Sequence, residues 1–460
     1  MFIISEKDNV EINLDNGHKY ARFDIKKGEE IIKYGFPIGI ATEDIKKGEH
    51  VHSHNVKTAL GKEERYTYTP FPLKESNEND APEILAYVRE DGNIGIRNDI
   101  WIINTVGCVN KTAEIIAKKT GALCFPHPFG CSQLGGDHET TQKILKGLVC
   151  HPNCGGVLVL GLGCENNNID EFKKVLGEYN PDRVKFLNAQ DSKDDIADGV
   201  ALVCELKKYA DTFKRQKVSA SKLKVGLKCG GSDGYSGITA NPLVGKFSDL
   251  LCSFGGTSVL TEVPEMFGAE RLLMSRCVSR EIFDKNVNLI NDFKDYFIRH
   301  NQPIYENPSP GNKAGGITTL EEKSLGCVQK GGTFSVVDVL DYGDRLEKNG
   351  LNLLNGPGND IVAVTNLTAA GAHLILFTTG RGTPLGAPVP TVKISTNTPL
   401  SEKKSNWIDF DAGKILNGVS IDSLSGELLK YVLEVAEGKE TKNEIYGYRE
   451  ISIFKDGVTL

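Results

Sequence analysis

The feature that most constrains the fold is a repeated unit in which a short apolar run ends at a glycine-rich turn and a helical pattern follows. Strands and helices that alternate in this way are typical of parallel sheets covered by helices, where ligands collect beyond the carboxyl ends of the strands. We therefore predict α/β regions of the flavodoxin-like or Rossmann-like type, with mainly parallel sheets. The predicted strands lie at 100–106, 157–160, 223–229, 257–260, 361–364 and 373–378, and the predicted helices at 112–119, 169–178 and 242–254.

An internal repeat marks the first part of the chain as a different kind of structure. Residues 24–29 and residues 44–49 both read Asp-Ile-Lys-Lys-Gly-Glu. Each copy puts a Lys-Gly turn between short alternating runs, and strand, turn and strand at this spacing indicate a small all-β module.

The length of the chain, 460 residues, exceeds what one hydrophobic core supports, so several domains are expected. A polar stretch that contains Pro70, Pro72 and Pro82 separates the β module from the strand–helix units. The predicted division is a β module at 1–72, a linker at 73–82, one α/β domain at 83–220 and a second α/β domain at 221–460.

Composition excludes several classes of function. The formal net charge of −7 gives no general attraction to nucleic acid. No apolar run approaches the roughly 18 residues that a membrane span needs, and the first residues do not resemble a secretory signal. Eleven cysteines in such a chain indicate reduced thiols, hence a cytoplasmic location. The expected partners are a small-molecule substrate and a second copy in a homodimer, with no nucleic acid and no membrane.

A row of histidines is the strongest candidate for a functional site. His50, His52 and His54 recur at period two, and His18 lies in a short unit upstream. In an extended strand, side chains at this spacing project to one face, so the three histidines are predicted to line one side of a strand or its end. Neutral imidazoles grouped in this way commonly hold a divalent cation, although the same row also fits a solvated polar strand edge. The functional interpretation is a metal held over an active site.

Polar residues also follow several predicted strands, at the edge where a ligand would bind. Arg381, between two glycines, is suited to bind a carboxylate with both arms of its guanidinium, although it also fits a plain surface charge. Residues 306–316 form a turn-rich loop of the kind that is often functional. Residues 321–323, Glu-Glu-Lys, fit a helix face with paired charges. The residues at strand ends are Cys108, Cys164, Cys229, Ser232, Asp233, Glu262, Glu265 and Arg381.

Long motifs spread over the whole chain resemble the altronate/galactarate dehydratase family. This resemblance implies an N-terminal β-clip module of the SAF type followed by α/β regions. The histidine row resembles the altronate branch and the related sulfolactate sulfo-lyases more than the galactarate branch. The motifs are Gly17-His18-Lys19, Ile32-Lys33-Tyr34-Gly35, Gly48-Glu49-His50-Val51-His52-Ser53-His54-Asn55, Arg89-Glu90-Asp91-Gly92, Gly95-Ile96-Arg97-Asn98, Gly161-Leu162-Gly163-Cys164-Glu165, Cys229-Gly230-Gly231-Ser232-Asp233 and Asn307-Pro308-Ser309-Pro310-Gly311-Asn312.

The resemblance implies a hydro-lyase that uses Fe²⁺ or Mn²⁺ and converts D-altronate to 2-dehydro-3-deoxy-D-gluconate. Removal of the C2 proton makes a dianion that needs charge stabilisation, and an acid must protonate the departing C3 hydroxyl. We therefore expect metal ligands, acid–base residues and groups that bind substrate oxygens. The candidates are His18, His52 and His54 for the metal, His54, Lys313, Glu262 and His373 for catalysis, and Ser232, Asp233, Asn312 and Arg381 for substrate binding.

Three alternatives stay open at this stage. Cys108, Cys131 and Cys164 would hold a [4Fe–4S] cluster with one open iron if they share a cleft, although their spacing contains no C-x₂-C pair. The substrate would instead be another hydroxy acid, such as galactarate or sulfolactate. A protein that binds a sugar acid but has lost the chemistry is the third alternative.

Overall fold

The computed structural model describes residues 1–61, 66–69 and 72–460, and within these residues the chain forms five β-sheets. The predicted architecture, a small all-β module followed by two α/β regions with mainly parallel sheets, is confirmed. Pro70 of the predicted polar stretch lies outside the described residues, and the domain boundaries stay predictions. No helix in the described part of the chain combines the length and the apolar character that crossing a bilayer requires.

The N-terminal module is built on the repeat. Its two copies face each other: Ile25 and Ile45 are buried and pair in an antiparallel bridge, and Lys26 lies 3.2 Å from the carboxylate of Asp44, with the equivalent pair from the other copy at the same distance. The ion pairs are exposed and stabilise little, so the two copies are held together mainly by the apolar contact between Ile25 and Ile45. Two three-stranded antiparallel sheets result, in the orders β1-β2-β5 and β3-β4-β6. Their strands are β1 (Val10–Ile12), β2 (Lys19–Ala21), β3 (Glu30–Lys33), β4 (Phe36–Ala41), β5 (His50–Val51) and β6 (Val56–Lys57).

The second region contains a four-stranded parallel sheet in the order β10-β9-β11-β12 and a three-stranded antiparallel sheet in the order β13-β7-β8. All residues of β11 are buried, as expected for a central strand covered on both faces. Its strands are β7 (Glu83–Val88), β8 (Ile94–Gly95), β9 (Asp99–Asn104), β10 (Leu123–Cys124), β11 (Cys154–Gly161), β12 (Val184–Asn188) and β13 (Arg215–Ser219), and its helices are α1 (Asn110–Thr120), α2 (Gly135–Val149), α3 (Ile169–Leu176) and α4 (Asp195–Ala210).

The third region contains a seven-stranded sheet, parallel throughout, in the order β16-β17-β15-β14-β18-β19-β20. The chain leaves β14 towards one side of the sheet and leaves β18 towards the other. These neighbours therefore flank a switch point, where a crevice opens beyond the carboxyl ends. Its strands are β14 (Lys224–Cys229), β15 (Thr257–Leu260), β16 (Val336–Leu340), β17 (Gly350–Leu354), β18 (Leu374–Thr379), β19 (Thr391–Ser395) and β20 (Phe410–Asp411), and its α-helices are α5 (Ala240–Ser253), α6 (Glu270–Met274), α7 (Arg280–Arg299), α8 (Pro310–Ala314), α9 (Leu320–Cys327), α10 (Asp360–Ala369), α11 (Thr398–Lys403), α12 (Ile421–Ala436) and α13 (Lys442–Tyr446).

The prediction of a strand at 361–364 is wrong, because these residues lie in helix α10. The side chain of Asn359 accepts a hydrogen bond from the backbone N–H of Val362 at 3.2 Å and so caps the helix. A four-residue apolar run does not distinguish a buried strand from a buried helix by its periodicity.

The two α/β regions share one hydrophobic core. Trp101 of β9 and Ile375 of β18 belong to the same buried cluster, and helices α2 and α10 pack against each other between the sheets. A side chain at Gly147 would lie 2.5 Å from the backbone oxygen of Ala369, so the helices approach as closely as they do because this residue is glycine.

A buried ion triad joins the module to the third region. Glu322 of α9 lies 2.9 Å from Lys19 Nζ and 2.7 Å from Lys33 Nζ, and all three side chains are at most 2% exposed. Burial alone would raise the pKa of Glu322, but the two ammonium groups lower it from 4.5 to about 2. The carboxylate therefore stays ionised and shared between two strands of the module.

We expect the Glu322→Gln variant to lose about 3–5 kcal/mol of unfolding free energy, because it leaves two buried ammonium groups without a carboxylate. Chemical denaturation measures the loss. Glu321→Gln is the matched control, since the neighbouring carboxylate is also buried but accepts hydrogen bonds from Thr58 and Ala59 instead of forming the triad. Equal losses in the two variants would contradict the role of the triad.

The same comparison predicts a pH dependence, because the folded-state pKa of Glu322 is depressed. The difference in unfolding free energy between the wild type and Glu322→Gln should be complete above about pH 4.5 and shrink as the pH falls towards 2.

Candidate active site

The histidine row begins in strand β5 and continues into the turn at its end. Strand β5 ends before His52, and residues 52–55 form a turn in which the side chain of Asn55 accepts from the N–H of His52 and donates to the carbonyl of His50, each at 2.9 Å. His52 and His54 therefore lie at the end of strand β5, which is one of the two placements that the period-two spacing predicts. The turn still gathers the rings, because the centroid of His50 lies 5.3 Å from that of His52 and 5.6 Å from that of the exposed His54.

His18 joins this cluster from the turn before β2. Its Nδ1 lies 3.0 Å from His50 Nε2, a distance at which one of the two nitrogens donates to the other. His52 Nε2 donates to the backbone carbonyl of Lys313 at 2.8 Å, and its Nδ1 lies 2.9 Å from Ser53 Oγ. The cluster thus sits where the module meets the loop that carries Lys313.

Burial keeps these imidazoles neutral. It is the first cause that lowers the pKa of His18, His50 and His52, and in His50 the charges of its histidine neighbours add to it and bring the pKa to about 4. Neutral imidazole is the form that binds a metal, so the donor chemistry fits a divalent cation.

The ring nitrogens of the histidine cluster are too far apart to bind one ion as they stand. No three histidines in the described part of the chain bring ligand atoms within 4.8 Å of one another, and that spacing is met only by Cys229, Glu265 and Cys327. A cation at the histidines would therefore need a rotation of at least one ring.

The loop 306–316, predicted without regular structure, contains the short helix α8 and connects the histidines to the switch point of the large sheet. Asn312 donates to the carbonyl of Ser232 at 2.9 Å, and Gly234 N–H donates to Gly315 at 2.7 Å. A side chain at Gly234 would lie 2.0 Å from the backbone oxygen of Gly17, so glycine is needed for the module to approach this closely.

The predicted substrate-binding residues gather beside this loop, at the carboxyl ends of β14 and β18. The Ser232 hydroxyl is buried and has no hydrogen-bond partner among the described residues. The Asp233 carboxylate accepts hydrogen bonds from protein donors, including the Thr396 hydroxyl at 2.9 Å, and burial raises its pKa. The Arg381 side chain is exposed, and its Nε lies 4.0 Å from the point where a Cβ atom at Gly311 would be.

Glu262 lies at the end of β15 with a left-handed backbone, φ 72°, and a buried side chain. It pairs with Lys228, accepts from the N–H of Cys229 at 3.1 Å and lies 3.5 Å from Lys330 Nζ. Burial, followed by the charge of Glu265, raises its pKa. Both carboxylate oxygens are therefore already engaged with protein donors.

His373 occupies the opposite edge of the same sheet. It precedes β18, its Nδ1 accepts from the N–H of Lys224 at 3.1 Å, and its ring packs edge-on against His151. Burial and then the charge of Lys224 lower the pKa of His373 to about 3. The structure does not bring it to the carboxyl ends of the strands, where the other candidates gather.

The three cysteines of the cluster alternative are all exposed. Cys108, Cys131 and Cys164 follow β9, β10 and β11, three adjacent parallel strands, so all three lie at the carboxyl edge of the four-stranded sheet. Their sulfur atoms are not within 4.8 Å of one another.

Several charged residues near the site were missed by the sequence analysis. Residues 321–323, which the sequence predicts as a helix face with paired charges, do lie in helix α9, but all three are buried and two of them pair with distant residues. Glu322 forms the triad, and Lys323 lies 2.8 Å from Glu265. No local signal would have found these pairs, since Lys33 precedes its partner by 289 residues.

Family models for three consecutive regions match this chain. The SAF domain of altronate/galactarate dehydratases matches residues 2–59, the second domain of D-galactarate dehydratase/altronate hydrolase matches 86–211, and the C-terminal region of D-galactarate/altronate dehydratases matches 220–459. Together these matches cover most of the chain.

Curated proteins are similar over nearly their whole lengths. An altronate dehydratase of Escherichia coli K12 is 50% identical, over 98% of this chain and 96% of the relative, and an altronate dehydratase of Bacillus subtilis 168 is 52% identical, over 98% and 93%. The L-threo-forming galactarate dehydratase of Escherichia coli K12 is 31% identical, over 97% and 91%. Full-length identity of this degree and three consecutive model matches make the chain a member of the D-galactarate/altronate dehydratase family.

Proposed function

We propose that this protein is a hydro-lyase that dehydrates D-altronate to 2-dehydro-3-deoxy-D-gluconate. The support for altronate is that about half of the residues are identical to those of two altronate dehydratases, against 31% for the galactarate dehydratase. Assembly as a homodimer and a cytoplasmic location stay predictions from the sequence.

The proposed reaction removes the proton from C2 and expels the C3 hydroxyl as water, and the enol that forms ketonises to the 2-keto-3-deoxy acid. His18, His52 and His54 would hold a divalent cation, Fe²⁺ or Mn²⁺. Such an ion stabilises the negative charge that develops on the substrate carboxylate and the C2 oxygen. In support, His18 and His52 are partly buried with lowered pKa values, and His54 reaches the same ring cluster from the surface.

For proton transfer, His54 and Lys313 are the favoured candidates. Neither side chain is fully buried, so both can reach a substrate in the crevice, and the backbone of Lys313 is tied to His52. Glu262 is a weaker candidate because Lys228 and Lys330 already hold its carboxylate. The position of His373 gives it no support.

For substrate binding, Arg381 is suited to the carboxylate, because its guanidinium is exposed beside the loop of Gly311. Asn312 and the Ser232 hydroxyl, which has no hydrogen-bond partner in the described part of the chain, are candidates for the sugar hydroxyls. Asp233 would act by positioning, since its carboxylate binds the Thr396 hydroxyl and other protein donors.

The substrate prediction is tested by assaying one preparation with altronate, galactarate and sulfolactate in the presence of Fe²⁺ or Mn²⁺. We expect altronate to yield a 2-keto-3-deoxy acid with a kcat/KM at least about 100-fold above those of the other two acids. A preference for galactarate or sulfolactate would mean that this acid, and not altronate, is the substrate. Binding of altronate without product would favour a sugar-acid-binding protein that has lost the chemistry.

The histidine prediction is tested with His52→Ala. We expect turnover to fall at least about 100-fold because a metal ligand is lost, while the circular dichroism spectrum is unchanged. His300→Ala is the control, since this exposed histidine at the end of α7 contacts Asp456 instead of the cluster. Activity retained in His52→Ala would remove the histidines from the mechanism.

The type of cofactor is tested by anaerobic purification. We expect a colourless protein that gains activity on addition of Fe²⁺ or Mn²⁺, and a Cys108→Ala/Cys131→Ala/Cys164→Ala variant within about twofold of wild type. The observation that favours the alternative is that these exposed cysteines follow three adjacent strands. A brown protein whose visible absorption and activity vanish in the triple variant would mean a [4Fe–4S] cluster.

A further inference from the structure

We propose that Cys229, Glu265 and Cys327 form a metal site, separate from the histidine cluster, that takes a thiophilic dication of the Zn²⁺ class. The three residues come from the end of β14, the 3₁₀ turn Val263–Glu265 and the end of α9. They are far apart in sequence and form no recognisable metal-binding motif. The inference does not rest on the proposed dehydratase function.

The geometry of the three ligand atoms fits a small ion. The two sulfur atoms are 3.3 Å apart, and each lies 3.1 Å from Oε2 of Glu265. In a tetrahedral zinc site with Zn–S bonds of about 2.3 Å, two sulfurs are about 3.8 Å apart. The observed triangle therefore needs to open by only about half an ångström, which small side-chain rotations supply.

The donor set selects the class of metal. Two thiolates and one carboxylate oxygen suit Zn²⁺ and other thiophilic dications and disfavour Mg²⁺ or Ca²⁺, which prefer oxygen ligands. All three side chains are at most 4% exposed. Cys327 also lines a small cavity of about 10 Å³, together with Ser232 and Lys323.

The surrounding charges are balanced with the ion bound. Three buried lysines and three carboxylates lie around the thiols, so their formal charges cancel. Each thiol would lose its proton on binding, so one dication replaces two protons and the net charge of the site does not change. These groups are Lys228, Lys323 and Lys330, and Glu262, Glu265 and Asp360.

The metal site would stabilise the residues that support the loop 306–316 of the candidate active site. The second oxygen of Glu265 lies 2.8 Å from Lys323 Nζ, and Lys323 donates to the side chains of Asn307 at 2.9 Å and Asn312 at 3.2 Å. Both asparagines belong to the loop whose Lys313 carbonyl binds the histidine cluster. A metal joining three elements beneath that loop would hold it in place.

The test uses Co²⁺ as the probe, because Co²⁺ bound to thiolates absorbs in the near ultraviolet and Co²⁺ bound to imidazole alone does not. Chelator-treated full-length protein with Cys108→Ala/Cys131→Ala/Cys164→Ala, in which the other two exposed cysteines of the second region, Cys150 and Cys204, are also changed to Ala, is titrated with Co²⁺, so that no exposed cysteine of the second region contributes. We expect the thiolate band to saturate at one Co²⁺ per chain, to persist when His52→Ala is added, and to disappear when Zn²⁺ displaces the cobalt.

Variants of the three ligands identify the site. Cys229→Ala and Cys327→Ala should each remove the band, and Glu265→Gln, which keeps the shape of the side chain, should weaken binding at least tenfold. Cys252→Ala is the matched control and should leave the titration unchanged. This cysteine is equally buried in the same region but is not one of the three proposed ligands. Circular dichroism checks that each variant is folded.

Three results would overturn the proposal. The first is a titration without a thiolate band, and the second is a band that persists in Cys229→Ala and Cys327→Ala. The third is a disulfide between Cys229 and Cys327 in freshly purified protein, detected by alkylation and mass spectrometry before reduction. A failure of the dehydratase assay would leave these readouts unaffected, because none of them measures turnover.

Discussion

One buried carboxylate, Glu322 of helix α9, holds the N-terminal module against the third region. Buried charges are stable only when each is paired, so the module can dock in few orientations without leaving an ammonium group unpaired. Lys19 of the triad directly follows His18 in the chain, and its strand β2 pairs with the strand that carries His50. The interaction that fixes the docking therefore also fixes where the imidazoles stand over the carboxyl edge of the sheet.

The second constraint is the switch point between β14 and β18. At this point the backbone of the sheet leaves a crevice, and the chain fills its floor with buried lysines and glutamates instead of apolar side chains. Such groups are stable there because each lysine finds a carboxylate, as Lys323 does with Glu265. The result is a rigid, charged floor beneath the loop that contains Lys313, with Arg381 exposed at its edge.

Local pattern was sufficient for most of the fold. Apolar runs followed by glycine predicted the central strands of both α/β regions, and the repeat at 24–29 and 44–49 predicted the β module. Local pattern gave the wrong element where the same residues suit both a strand and a helix. Residues 361–364 are apolar and mostly β-branched, but they lie in a helix that Asn359 caps. The period-two spacing of the histidines predicted a strand or its end, and only the structure shows that Asn55 closes a turn after the strand and so brings the rings together.

The sequence by itself determined the kinds of element, their order and the family motifs, because these depend on neighbouring residues. Only the tertiary structure decided which charges are buried and which side chains meet. A run such as Glu-Glu-Lys at 321–323 reads the same whether it faces water or the interior, and its partners Lys19 and Lys33 lie about three hundred residues earlier. The same holds for Cys229 and Cys327, whose sulfur atoms lie 3.3 Å apart although the residues are 98 positions apart in the sequence.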